Sequence, residues 1–210
     1  MVKNKKGAFT LAELLVALSI LAVIAVMTVP SLRDDAQRKE NAAKVTKAYA
    51  SIAQAFDYME AQLPMTLWTA DWATKQLNNQ LSIVDTDCFP SVNLKFSDGS
   101  QDNNYGSGNS YKLADGTCVK MWLTDGSDVP GRWGMGAGKM YYEVFIDVNG
   151  SNRPNVWGQD VYLFALIKDR GLVPSGVDSC MMTDGSDFDA AGSKDLYGCA
   201  AKVIQYGKTE

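Results

Sequence analysis

One apolar stretch near the N-terminus decides most of what this chain can become. Residues 9–30 read FTLAELLVALSILAVIAVMTVP, apolar apart from hydroxyls and a single charge, Glu13. As an α-helix, at about 1.5 Å per residue, the stretch spans about 33 Å, close to the roughly 30 Å of a bilayer's hydrocarbon core. Lys3, Lys5 and Lys6 precede it with no acid among them. Basic residues on one flank hold that flank in the cytoplasm and send the rest of the chain outward. A cleavable secretory signal would have a shorter apolar core and a small-x-small site at its far end. Here Arg33-Asp34-Asp35 follows instead. A soluble buried helix does not fit the length. A plain signal anchor does, but it has no use for Glu13, because a carboxylate inside the bilayer is expensive and marks a function by default.

The rest of the composition narrows the classes. At 210 residues the chain has room for one ordinary domain beyond such an anchor. Its net charge of −4 argues against a nucleic-acid footprint, which needs a basic face. There is no histidine. That removes Ser-His-Asp and Cys-His catalysis, histidine zinc sites and histidine pH switches together.

The run Lys6-Gly7-Ala8-Phe9-Thr10-Leu11-Ala12-Glu13-Leu14-Leu15 resembles the prepilin cleavage and methylation motif of type IV pilins and type II secretion pseudopilins. The resemblance is specific over residues 5–32 and architectural beyond. It implies that a prepilin peptidase removes a basic leader, residues 1–8, and that the new terminus, Phe9, is N-methylated. The family usually has glycine directly before the cut, whereas here Ala8 stands between Gly7 and Phe9. A cut after Ala8 makes Glu13 the fifth residue, as the family requires, and Pro30 the twenty-second, where many members also carry proline. The resemblance further implies that Glu13 meets the terminal amine of a neighbouring subunit, two buried charges that neutralise each other and set register. Its implied partners are homologous pilin subunits, the peptidase and an inner-membrane assembly platform. The implied location is the inner membrane, single-pass with a cytoplasmic N-terminus, and then a periplasmic or extracellular filament. The protein is expected not to be an enzyme. The rival reading is a signal-anchored periplasmic binding or enzyme domain.

Beyond the anchor, residues 9–32, the periodicity predicts an extracytoplasmic head over 33–210. Val45, Tyr49, Ile52, Phe56, Met59 and Leu63 step by four and three, a one-sided helical stripe. The helix should run to about residue 62, before Pro64, and weaken at Pro30, where an internal hydrogen bond is missing. A connector, 63–109, is expected to hold a short helix over 67–77 carrying Trp68 and Trp72, then a polar loop over 97–110 without core residues. Strands are expected at 110–114, 117–123, 139–148, 160–167 and 201–206, with Asp115-Gly116 as a two-residue hairpin turn. Loops are expected over 124–138 and 171–199. Thr-Asp-Gly-Ser-Asp occurs in both, as recurrent turn chemistry. The fold class that follows is α+β, a long N-terminal helix packed on an antiparallel β-meander.

Four cysteines in an exported segment favour disulfides over free thiols. Four allow three connectivities. Proximity along the chain favours Cys88–Cys118 and Cys180–Cys199. Each closes a loop of roughly 20–30 residues, worth about 3 kcal/mol in the chain-entropy model.

Three further features are candidate sites. Asp147, Asn149, Asn155 and Asp160 offer oxygens around Asn149-Gly150, the donor type calcium takes, with Asp147, Asn149 and Asp160 as the candidate ligands. Some pseudopilins hold calcium in a loop of this sheet region, so calcium is the one cofactor the resemblance brings in. The competing explanation is that Asn-Gly is a common hairpin turn. The glycine-rich run 131–138 lacks the Gly-Lys-Ser/Thr ending of a phosphate loop and reads as a mobile exposed loop. Trp122, Trp133 and Trp157 are either ligand-stacking platforms or, as the ordinary expectation, partly buried.

Overall fold

A computed structural model describes residues 10–89, 94–96, 99–102, 109–130, 133–150, 152–177 and 200–206, with the side chains of 29–35, 125 and 206 excepted. It divides into two compact units, Met1–Gln37 and Arg38–Glu210.

The first unit is the early part of α1, Leu11–Gln62. Within it, Leu11–Thr28 has a mean hydropathy of 2.5, apolar and long enough to cross a membrane. Its hydroxyls are satisfied within the helix: Ser19 Oγ donates to the Val16 carbonyl at 2.8 Å and Thr28 Oγ1 to that of Ile24 at 2.9 Å. That is the arrangement hydrocarbon demands, since no water is there to serve a hydroxyl. The helix continues through Pro30, which has no N–H to give the carbonyl four residues back.

In the second unit, α1 runs to Gln62, the expected end. The stripe residues Val45, Ile52, Phe56 and Met59 are buried, with Ala42, Ala48 and Ala55 filling the close approaches between them. The stripe faces a six-stranded antiparallel sheet in the order β1-β4-β5-β6-β7-β8. These strands are β1 Ile83–Thr86, β4 Asn109–Leu113, β5 Cys118–Asp128, β6 Lys139–Asp147, β7 Val161–Ile167 and β8 Gly171–Pro174; β2 Leu94–Lys95 and β3 Gln101–Asp102 pair with each other. From β4 to β8 the sheet is the expected meander. Phe56 anchors the helix face, stacking on Trp68 at 6.0 Å and tilting onto Tyr142 at 5.7 Å. Tyr49 stacks on Phe164 at 5.5 Å, and its hydroxyl donates to the Leu172 carbonyl.

The other sheet face is buried too. Phe145, Leu163, Ala165 and Ile167 pack there against Phe89, Leu94, Trp133, Met135 and Trp157. This explains why every residue of β7 is buried: a strand covered on both faces loses the alternation that sequence patterns rely on. The glycine-rich segment is therefore no free loop where it is described, because Trp133 and Met135 plug this second core. Trp157 is buried as well, while Trp122 is 44% exposed.

Several expected boundaries move. The segment 201–206 is not a strand but α3, Ala200–Tyr206. Ala200 and Val203 are its buried residues, one helical step apart, and Ser175 accepts from the Ala200 and Ala201 N–H groups at the helix start. The connector helix is α2, Ala70–Gln80, because the Thr69 side chain caps it by accepting from the Trp72 N–H; Trp68 lies before it, after a 3-10 turn Met65–Leu67. The Asp115-Gly116 hairpin is three residues wide. Leu113 bonds across to Thr117, the Gly116 N–H returns to the Leu113 carbonyl, and Gly116 has φ 88°, a left-handed position that glycine takes without strain. The first Thr-Asp-Gly-Ser-Asp lies within β5 around a register shift between Leu123 and Ser127; the second, 183–187, lies outside the described residues. β1 is a strand within the expected connector, and β8 a strand in a stretch expected to be loop. The polar loop holds a buried residue, Asp102, which accepts from Trp157 Nε1 at 3.1 Å.

Candidate functional site

Gly7, Ala8 and Phe9, the expected processing residues, lie outside the described residues, as do Cys180 and Cys199. What is described begins at Thr10, immediately before α1, and there the chain makes its own helix cap. The Thr10 N–H and hydroxyl both donate to Glu13 Oε2 at 2.8 Å, and the Glu13 N–H donates to Thr10 Oγ1 at 3.3 Å. This is a reciprocal capping box, in which the two side chains satisfy helix-start donors that have no partner of their own. The spacing Thr-x-x-Glu before an apolar run was the signal for it. Around Glu13 the helix is apolar on all sides and exposed, from Leu11 at 76% to Met27 at 75%. A helix with no polar face belongs in a bilayer or in the core of a bundle, not in water.

Cys88 and Cys118 form a disulfide that closes a separation of 30 residues, with Cα atoms 5.8 Å apart. It ties the segment after β1 to the start of β5. On the same turn, Lys47 of α1 pairs with Asp115 Oδ2 at 2.9 Å.

The second candidate region is the β6–β7 connection. Asp147 ends β6 and Asp160 immediately precedes β7, so the antiparallel pairing that sets Asp147 opposite Val161 brings the two acids together. Both are fully buried. Asp160 organises the loop: its Oδ2 accepts from Asn149 Nδ2 at 2.9 Å and the Asn155 N–H at 2.8 Å, and its Oδ1 from the Val156 N–H at 2.6 Å. Asn149 bridges the pair, since its N–H also donates to Asp147 Oδ1 at 3.1 Å. Asn155 sits at φ 53°, a left-handed conformation that asparagine tolerates better than most residues. Burial, reinforced by the Asp160 charge, pushes the Asp147 carboxyl up to about 8. Burial raises Asp160 as well, against the N–H groups that hold its charged form.

Thus Asp147, Asn149 and Asp160 do converge, and Asn155 joins them. The residues fit a hard cation on one observation: Asp147 Oδ2, Asn149 Oδ1 and Asn155 Oδ1 are buried oxygens without a hydrogen-bond donor. Among the described residues, no group of three or more His, Cys, Asp or Glu side chains could hold a metal.

No curated protein and no solved structure matches this chain. Residues 3–29 match the family model described as the prokaryotic N-terminal methylation motif, so the chain carries, over these residues, the signature of type IV pilins and pseudopilins.

Proposed function

We propose that this protein is a structural subunit of a type IV pilus-like or type II secretion pseudopilus filament, and not an enzyme. Prepilin peptidase removes residues 1–8, and Phe9 becomes the N-methylated terminus. The chain rests in the inner membrane with its N-terminus cytoplasmic, and the inner-membrane platform assembles it with homologous subunits. The observation that carries this reading is the single carboxylate of Glu13 at the head of a helix apolar on every face, inside the methylation motif.

The mechanism is helix bundling with a register lock. In the lone subunit, Thr10 serves the Glu13 carboxylate locally. In the filament, the terminal ammonium of a neighbour supplies the opposite charge. Two charges that are each unfavourable in an apolar bundle then cancel, and a misregistered subunit leaves both unmatched.

Glu13→Ala tests this. Insertion should persist, since the desolvation cost of the carboxylate disappears. Assembly should fail, because breaking one side of a buried pair typically costs about 3–5 kcal/mol. Glu13→Gln should fail similarly. Membrane fractionation reads insertion, and recovery of sheared filaments reads assembly. If Glu13→Ala subunits enter filaments at wild-type levels, the signal-anchored periplasmic domain becomes the better reading. Mass spectrometry gives a separate check: the mature protein should lack Met1 to Ala8 and carry one added methyl group.

A further inference from the structure

The two sulfurs of the Cys88–Cys118 disulfide have unequal surroundings. Cys118 is 0% exposed and belongs to the second core. Cys88 is half-buried and lines an open cleft of about 240 Å³, with Lys44, Lys112, Asp115 and Asn149. Exchange requires a thiolate to reach the sulfur it attacks. Access therefore makes Cys88 the electrophile and Cys118 the leaving group.

The charges of the cleft favour an anionic nucleophile. Lys44 pairs with Glu40 at 2.8 Å, and Asp115 is occupied by Lys47 at 2.9 Å. Lys112 is exposed and pairs with no acid among the described residues. It is also the register partner of Cys118 on β4. Residues directly opposite in an antiparallel pair share a sheet face. The Lys112 side chain thus lies on the same face as the sulfur that takes up the negative charge, and a nearby cation favours a thiolate. Asp147, the partner on β6, flanks Cys118 from the other side, with its Oδ1 engaged by the Asn149 N–H.

The segment that carries Cys88 has few other ties. The Asp87 N–H donates to the Ser110 carbonyl at 3.1 Å, and the Phe89 N–H to Ser110 Oγ at 3.3 Å. The Phe89 ring lies 5.6 Å from the Lys120 ammonium and 6.2 Å from the Phe145 ring. Breaking the disulfide would leave these contacts alone to hold Phe89 over the second core.

We infer that Cys88 is a thiol-exchange site for small thiols that carry a carboxylate or sulfonate. The thiolate attacks Cys88 Sγ and forms a mixed disulfide there. The bond to Cys118 breaks, and its electron pair leaves on Cys118 Sγ. A second thiolate then attacks the bound thiol's sulfur and releases the Cys88 thiolate. Two thiols are oxidised to one disulfide, and the cysteine pair gains two electrons. The bond thereby acts as a redox-sensitive latch on the second core. The site stands independently of the filament reading.

The test uses the full-length protein in detergent micelles, without denaturant. The protein meets 2-mercaptoethanesulfonate briefly, is quenched with acid, cut with pepsin and mapped by mass spectrometry. The adduct on Cys88 should exceed that on Cys118 about tenfold or more, as access dictates. Cysteamine, a cationic thiol, supplies the charge comparison, with each rate normalised to the same thiol's rate on a small neutral disulfide. The anionic thiol should react about threefold faster, and salt at about 1 M should erase the difference. Lys112→Gln should erase it too, while the adduct stays on Cys88. An adduct on Cys118, or spread evenly over both cysteines, would overturn the inference. So would exchange that proceeds only in denaturant strong enough to unfold the protein. Equal normalised rates for the two thiols, or a preference that survives both salt and Lys112→Gln, would overturn the anionic class of nucleophile.

Discussion

Thr10 and Glu13 satisfy each other across the first turn of α1, with both Thr10 donors converging on one carboxylate oxygen at 2.8 Å. On the filament reading, the carboxylate that would meet a neighbouring subunit is therefore already occupied within its own chain. Assembly, on the filament reading, exchanges a local partner for a foreign one.

Thr10→Val should separate these roles. The variant keeps the shape and the N–H but loses the hydroxyl. The helix start should weaken by about 1 kcal/mol, as for other lost caps, so exchange of the Glu13 amide, which the hydroxyl accepts from, should quicken about fivefold. Membrane insertion should be unchanged. Exchange at the wild-type rate would mean that the hydroxyl does not cap this helix.

Reduction of Cys88–Cys118 should destabilise the protein by about 3–4 kcal/mol, as expected for a closed loop of this size. A thermal melt with and without reductant measures it, and a Tm unmoved by reduction would contradict it. Non-reducing peptide mapping should recover the Cys88–Cys118 pair and, as the remaining pair, Cys180–Cys199.

Gly138→Ala should cost about 1–3 kcal/mol by overpacking, because an added Cβ meets Ile167 Cγ2 at 2.6 Å. Combining it with Ile167→Ala removes the clash. The pair should then be less destabilised than the sum of the two single variants, a coupling that denaturant melts of the four proteins would detect. Simple additivity would rule out the contact.

Phe56→Ala should cost about 3–5 kcal/mol, since the ring is buried between Trp68 and Tyr142. Tyr58, two residues on and half exposed, is the internal control. Tyr58→Ala should stay within about 0.5 kcal/mol of wild type. Equal losses at both positions would mean that the stripe is misassigned.

Helix-scale information was legible in the sequence because it repeats. The alternation of fours and threes from Val45 to Leu63 needs no tertiary context, and the helix ends where Pro64 predicts. The strongly apolar strands β6 and β7 were equally visible. What escaped depends on partners distant in the chain. β1 is four residues long with one partly buried side chain, and it exists because β4 offers an edge. The β8 residues look like a loop, with Pro174 at the end, and proline is tolerated on an edge strand. The stretch 200–206 is rich in strand-forming residues, but Ser175 caps it as a helix. For the site, residue types revealed Asp147, Asn149 and Asp160. Asn155 was offered by residue type but not chosen as a ligand, and only the fold of the loop, which turns it back onto Asp160, sets it beside the others.

The doubly covered sheet bears on how such a head can diversify. Helices occupy one face and connecting segments the other, so the central strands answer almost wholly to internal fit. Substitutions that retune the exterior fall in the connections, where surface segments tolerate change. Phe89, Trp133, Met135 and Trp157 are exceptions there, since they belong to the second core. A lineage could then rewrite what the head meets while its strand sequences drift slowly, and those four side chains would be the fixed points within otherwise variable loops.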